Sequence, residues 1–306
     1  MSSHLSYAEA LVVGALQGVT ELFPVSSLGH SVLLPALLGG RWAADLNVST
    51  PESPYLAFIV GLHVATAAAL LVFFWRDWVH IISGFVTSVR FRRIQTPSER
   101  LAWLIVLATI PVGLSGLALE HVFRTTLGKP VPAAIFLILN GLILYGGERM
   151  RRRTPTLASF DTTGDKEPTG STGNAVDDRL AGLSLAQGVV IGCAQILALL
   201  PGVSRSGVTM VAGMWRGLSH EEAARFSFLL ATPIILAAGL LKIPDLLGPL
   251  GTGIRGQALA GSFASFIAAY LSVRFLTRYF ETRTLTPFAV YCVLAGAASL
   301  VWLTLL

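Results

Sequence analysis

Six stretches of this chain are apolar for long enough to cross a lipid bilayer. They are Tyr55–Trp75, Leu101–Leu119, Val131–Gly147, Phe226–Ile243, Gln257–Phe275 and Pro287–Leu306, and each runs 17 to 21 residues. A helix rises about 1.5 Å per residue, so roughly 20 apolar residues cover a hydrocarbon core of about 30 Å. The chain is 53% hydrophobic and 13% charged, whereas ordinary soluble domains carry about 25% charged residues. A soluble fold of 306 residues could not bury that much apolar surface. In lipid every backbone polar group must find an internal partner, and continuous runs of this length achieve that as helices. The expected fold is an all-α polytopic membrane protein.

Two further regions are apolar but interrupted. Ala8–Leu38 is broken around Pro24–His30, and Leu183–Leu218 is broken around Pro201–Thr209. Neither half of either region spans alone, and irregular backbone at membrane depth is tolerated only where protein or water lines it. Both read as re-entrant helical hairpins beside six spanning helices. Pro155 to Asp178 is a Gly-, Ser-, Thr- and Asp-rich linker without periodicity. The chain thus divides into a first repeat, 1–147, a cytoplasmic linker, 148–182, and a second repeat, 183–306. The first 40 residues lack the basic start and cleavage site of a signal peptide. Cys193 and Cys292 lie in apolar stretches and read as small packing residues.

Basic residues orient the spans. With both hairpins entering and leaving on one side, the loops at 76–100, 148–180 and 274–284 share a face and hold fourteen Lys and Arg residues, against five in the opposite loops. The richer face is cytoplasmic. The net charge of +5 is therefore topology rather than nucleic-acid binding. The first hairpin then enters from outside and the second from the cytoplasm, an inverted-topology repeat. At a constant offset of 178, Gly14, Gln17, Val25, Ser26, Gly29 and Gly39 meet Gly192, Gln195, Val203, Ser204, Gly207 and Gly217. These identities fall on the two broken segments, where an inverted repeat places its midplane site.

The chemistry belongs in those breaks. In the first, Gln17 and Glu21 are four apart and share a helix face. A carboxylate inside an apolar segment is costly, and it marks a functional site. Pro24 should stop the helix, and Gly29 can permit a tight turn. Ser26, Ser27 and His30 supply hydroxyls and a proton-transfer group. The second break reads Pro201-Gly202-Val203-Ser204-Arg205-Ser206-Gly207-Val208-Thr209. Glycines expose backbone N–H groups, a following helix adds its positive end, and guanidinium binds phosphate through two bonds. The two breaks together read as phosphoryl chemistry at the bilayer, with Glu21 and Gln17 placed to hold a divalent cation.

The motifs resemble those of a known family, the bacterial undecaprenyl-diphosphate phosphatases, also called bacitracin-resistance proteins. Gln17, Glu21, Pro24 through Ser27, Gly29 and His30 match its first pattern, and Pro201 through Thr209 its second. Ala224 through Leu230 and Pro233 are also similar to it. The resemblance implies hydrolysis of undecaprenyl diphosphate to the monophosphate, which recycles the cell-wall carrier lipid and confers bacitracin resistance. It also implies a divalent cation, Mg or Ca, and a site on the outer side of the bacterial cytoplasmic membrane. Glu21, His30, Ser27, Ser204, Arg205 and Thr209 match functional positions, with the nucleophile open between Ser27 and His30. Two positions depart: Gln17 stands where many members carry Glu, and Leu28 where Thr is common.

On this reading Glu21, His30, Ser27 and Arg205 are catalytic. Ser26, Ser204, Ser206, Gly207 and Thr209 bind substrate, and Glu21 and Gln17 bind metal. The expected partners are a polyprenyl diphosphate and the membrane, without nucleic acid, and a homodimer is compatible. Broken helices in an inverted repeat also mark transporters, so a polyprenyl-phosphate flippase is the alternative. A lipid phosphatase of the Arg-Pro type does not fit, because no His follows Ser204-Arg205 until His220. His63 reads as a locally bonded span residue, Asn140 as interhelical glue, and Arg225 as an interfacial residue.

Overall fold

The computed structural model describes residues 5–46, 54–122, 126–151, 172–248 and 251–305, and every regular element among them is helical. The first broken segment is α1 (Tyr7–Thr20) and α2 (Ser27–Leu38), followed by the short α3 (Gly40–Asp45). Next come α4 (Pro54–Phe73), α5 (Trp75–Phe91), α6 (Pro97–Val122), α7 (Pro130–Arg151) and α8 (Thr172–Ala181). The second broken segment is α9 (Leu185–Ala194), a 3-10 turn (Gln195–Leu199) and α10 (Arg205–Trp215). The chain closes with α11 (His220–Leu247), α12 (Arg255–Thr282) and α13 (Thr286–Leu305).

Five of these helices are long and apolar enough to cross a membrane: α6, α7, α11, α12 and α13. Together with α5, α4 makes a sixth candidate, bent by 87° between the two helices. The chain is thus a multi-pass membrane protein. Residues 76–91 depart from their reading as a loop. They form α5, whose Trp75, Val79, Ile82, Val86 and Val89 are exposed while Ile81, Gly84 and Ser88 are buried. Arg76, Asp77, His80 and Arg90 break the apolar run, so only helical periodicity reveals this amphipathic element. The linker expectation is corrected at its end, where α8 begins at Thr172; residues 152–171 lie outside the described residues. Arg225 on α11 ties both elements down, pairing with Asp77 at 3.0 Å and Asp177 at 2.8 Å.

Matched serines open the broken segments. Ser6 and Ser184 each accept a hydrogen bond at 3.2 Å from the backbone three residues on, and Glu9 and Gln187 each accept one back at 2.8 Å. These are capping boxes, and they sit at the same offset of 178 as the other paired positions. Ser26 and Ser204 then cap the second helices, accepting from the Gly29 and Gly207 N–H groups, both at 3.2 Å. The paired identities therefore do matched local work.

Small residues set the helix spacing. Gly14 and Gly18 of α1 lie against the backbone of Gly261 and Ser265 on α12, and Gly141 of α7 lies against Ala289 and Val293 of α13. Close backbone approach is how helices associate where lipid is as apolar as the side chains. Large side chains face outward instead, including Leu114, Leu117, Leu259, Phe263 and Leu294. Replacing Gly14 by Leu should push α1 off α12. Overpacking of this kind costs about 1–3 kcal/mol, read as a lower thermal midpoint in detergent; an unchanged midpoint would contradict the contact.

Candidate active site

Glu21 follows the last turn of α1, where its N–H still donates to the Gln17 carbonyl at 2.9 Å. Its side chain is buried, and four groups converge on it. Gln17 Nε2 donates to Oε2 at 3.0 Å, and Ser27 Oγ donates to the same oxygen at 2.5 Å. Arg205 Nη2 donates to Oε1 at 2.5 Å, and His63 Nε2 lies 3.4 Å from Oε2. Gln17 comes from one turn earlier on α1. Ser27 and Arg205 are the first residues of α2 and α10, and His63 lies within α4. A buried carboxylate left without its partner costs about 3–5 kcal/mol, so the guanidinium from the other broken segment is what makes Glu21 tenable there.

The two breaks brace each other. Ser26 has φ 71 and ψ 101, a backbone state that costs a non-glycine residue about 1–3 kcal/mol. Its side chain holds that state, because Oγ accepts from Gly29 N and also from Gly202 N across the segments, both at 3.2 Å. Gly202 itself has φ 111, and a Cβ there would strike Phe136 and the Ala133 carbonyl on α7. From α7, buried Asn140 donates to the Pro24 carbonyl at 3.0 Å and accepts from Ser204 N at 2.9 Å. Ser206 Oγ adds a bond to the Phe23 carbonyl at 3.3 Å.

Both breaks are shorter than their sequence reading. Pro24 comes after the end of α1, and α2 already begins at Ser27, so Ser27 and His30 occupy its first turn. Gly29 makes no turn. It lies inside α2, where a Cβ would sit 2.9 Å from Gly202 Cα, so its role is to let the second break come close. Likewise α10 begins at Arg205, leaving Arg205, Ser206 and Gly207 on its first turn.

The structure brings Gln17, Glu21, Ser27 and Arg205 into one cluster. Ser26, Ser204, Ser206 and Gly207 surround it as bracing. Thr209 is buried on α10, and its hydroxyl donates to the Arg205 carbonyl at 2.7 Å. His30 is engaged elsewhere: Nδ1 is 2.7 Å from the Ser26 carbonyl and Nε2 is 2.7 Å from the Tyr291 hydroxyl. A carbonyl only accepts, so Nδ1 carries the hydrogen, and with the ring neutral Nε2 accepts from Tyr291. Two residues escaped the sequence reading, His63 as a partner of Glu21 and Tyr291, while Asn140, read as interhelical glue, does bridge elements. The rule that singled out Glu21, an ionisable group within an apolar span, also applied to His63; Tyr291 carried no signal.

Two buried atoms beside the carboxylate have no partner among the described residues, Gln17 Oε1 and Arg205 Nη1. Buried polar atoms in folded proteins are nearly always paired, so an unpaired acceptor and an unpaired donor beside one carboxylate stand out as groups able to bind polar atoms. Their chemistry fits a cation and an anion respectively. No group of three or more His, Cys, Asp or Glu gathers to hold a metal among the described residues. Glu21, the Gln17 amide oxygen and His63 are the donors present.

The sequence model of the family described as bacitracin resistance protein BacA matches residues 10–298. The chain belongs to this family. It is 73% identical over 305 residues to an undecaprenyl-diphosphatase of Mycolicibacterium paratuberculosis, covering 100% of both chains. It is 52% identical to undecaprenyl-diphosphatase 1 of Frankia casuarinae, with 98% of each covered. An undecaprenyl-diphosphatase of Granulibacter bethesdensis is 42% identical, with 96% of each covered.

Within this BacA-family site, Asn140→Leu is expected to strand the Pro24 carbonyl and the Ser204 N–H. Each unpaired buried group costs about 1–3 kcal/mol, so the thermal midpoint should fall clearly. A midpoint equal to the parent protein's would contradict the bracing role.

Proposed function

We propose that this chain hydrolyses undecaprenyl diphosphate to the monophosphate and phosphate, recycling the cell-wall carrier lipid and conferring bacitracin resistance. The observation that carries this reading is the Glu21–Arg205 pair, joined across the two breaks and flanked by a free buried donor and acceptor. The named activity of the relatives supports it. In the finer architecture, six spans flank two re-entrant hairpins in an inverted repeat, placed in the bacterial cytoplasmic membrane with the site toward the outer side. The matched serine caps and the excess of basic residues on one face support that arrangement.

The lipid tail stays in the bilayer while the diphosphate enters between the breaks. Arg205 Nη1 takes a phosphate oxygen, and the starts of α2 and α10 add their positive ends. The serine braces keep both helix starts in register, and Thr209 fixes the Arg205 carbonyl. Ser27 is the group poised to attack, because its hydroxyl proton already points at Glu21. The proton passes to Glu21 as Ser27 Oγ bonds to the terminal phosphorus, and the bridging P–O bond breaks to release polyprenyl monophosphate. Water then attacks the phosphoserine phosphorus, Glu21 returns the proton to Ser27 Oγ as that P–O bond breaks, and phosphate leaves with the hydroxyl restored. His30 orders the Ser26 carbonyl beside it. A divalent cation, Mg or Ca, held by Glu21 and the Gln17 amide oxygen, would neutralise diphosphate charge.

Phosphate release from polyprenyl diphosphate in detergent tests this. Arg205→Ala, Ser27→Ala and Glu21→Gln should each lower the rate by two or more orders of magnitude, on the order of losing one preorganised charge-stabilising group or more. Chelator should abolish release and added Mg or Ca restore it. Near-normal turnover in any of the three variants, or lipid translocation without phosphate release, would overturn the reading.

A further inference from the structure

The last turns of α12 carry a charged recess that the hydrolysis derived above does not use. Leu271, Arg274, Phe275, Arg278 and Tyr279 line it, and Arg283 joins them from the turn after the helix. Spacings of three and four residues put the five helical positions on one face. The opposite face, with Ser272, Val273, Leu276 and Phe280, is buried in the bundle. The recess therefore faces outward, with Leu271 and Phe275 exposed and a volume of about 450 Å³.

Its depth in the membrane follows from helix length. A helix of 28 residues is about 42 Å long at the helical rise, whereas the hydrocarbon core is about 30 Å thick. The apolar run Gln257–Phe275 ends inside the recess. The arginines thus lie at headgroup level, above an apolar floor that leads back into the bilayer.

These arginines are not spent within the protein. Among the described residues none of Arg274, Arg278 and Arg283 forms an ion pair, and Glu281, three residues beyond Arg278, pairs with none of them. By contrast, Arg225 pairs with Asp77 and Asp177, and Arg179 with Glu222. The aromatic wall is held in place. Phe275 stacks on Phe23 at 5.9 Å, and Tyr279 packs edge-on against Phe288 at 5.4 Å. The Tyr279 hydroxyl donates to the Thr284 carbonyl at 3.3 Å, which pins the turn that carries Arg283.

We propose that this recess binds an anionic phospholipid, its phosphate held by Arg274, Arg278 and Arg283 and an acyl chain lying along Leu271 and Phe275. Guanidinium takes phosphate through paired N–H bonds, and basic side chains near a membrane surface attract anionic lipid. The apolar floor selects a lipid over free phosphate, which gains nothing from Leu271 and Phe275. The site does not depend on the chemistry at Glu21 and Arg205.

The test uses the full-length protein in detergent, with phosphatidylglycerol and phosphatidylcholine as probes and native mass spectrometry to read bound lipid. The parent protein should bind phosphatidylglycerol in clear preference to phosphatidylcholine. Arg278→Gln should weaken that binding about fivefold, and Arg274→Gln, Arg278→Gln and Arg283→Gln together on the order of a hundredfold, the scale for one and three basic residues at a lipid surface. Arg92→Gln with Arg93→Gln, on the same basic face but outside the recess, should bind as the parent does. Lipid-free thermal midpoints close to the parent's show that the variants fold; where the triple variant does not, Arg278→Gln alone decides. Equal binding of the two lipids, undiminished binding in Arg278→Gln, or an equal loss in the Arg92 and Arg93 variant would overturn the site. Displacement of phosphatidylglycerol by an equal concentration of inorganic phosphate would also overturn it, making the recess a plain anion site. Displacement by polyprenyl monophosphate would overturn it in favour of the substrate lipid.

Discussion

A carboxylate and a guanidinium meet within an apolar helical assembly, and much of the local structure follows from keeping them together. Glu21 and Arg205 are 184 residues apart in sequence, with Nη2 and Oε1 at 2.5 Å. Removing one partner of a buried pair leaves an uncompensated charge, a loss of about 3–5 kcal/mol. The pair forms where α1 ends and α10 begins, beside the breaks in both segments. Broken helices expose backbone groups, and these need partners. Ser26, Ser204 and Asn140 provide them. Gly29 and Gly202 make the approach sterically possible.

Strain and bracing concentrate at this junction. Ser26 holds an unfavourable backbone conformation because its hydroxyl serves both segments at once. Its carbonyl also receives His30, which Tyr291 on α13 steadies from the other side. The site is thus held by α7 and α13 as well as by the breaks that form it. A rigid first layer of this kind keeps a nucleophile and an anion-binding arginine in register without relying on loop flexibility.

Much of this was legible in the sequence because it depends on local chemistry. Apolar runs of sufficient length announced the spanning helices, and polar interruptions announced the breaks. Gln17, Glu21, Ser27 and Arg205 stood out because ionisable or hydroxyl side chains are costly in an apolar run. The rest depends on contacts between distant residues. Gly29 looked like a turn residue because its true partner, Gly202, is far along the chain. The importance of Asn140 lay in binding Pro24 and Ser204 together, which no local pattern encodes. The α5 helix was hidden by its charged face, which mimics a loop when only apolar length is counted.

The central claim is that the two breaks form one site through Glu21 and Arg205. A double-mutant cycle on thermal unfolding in detergent, with Glu21→Gln, Arg205→Gln and both together, measures that contact most directly. Residues in contact show non-additive effects, with coupling of about 0.5–3 kcal/mol. The account predicts that each single variant is clearly destabilised and that the double variant is no less stable than the worse single. Strictly additive losses would contradict it, since they would mean that the carboxylate and the guanidinium do not meet.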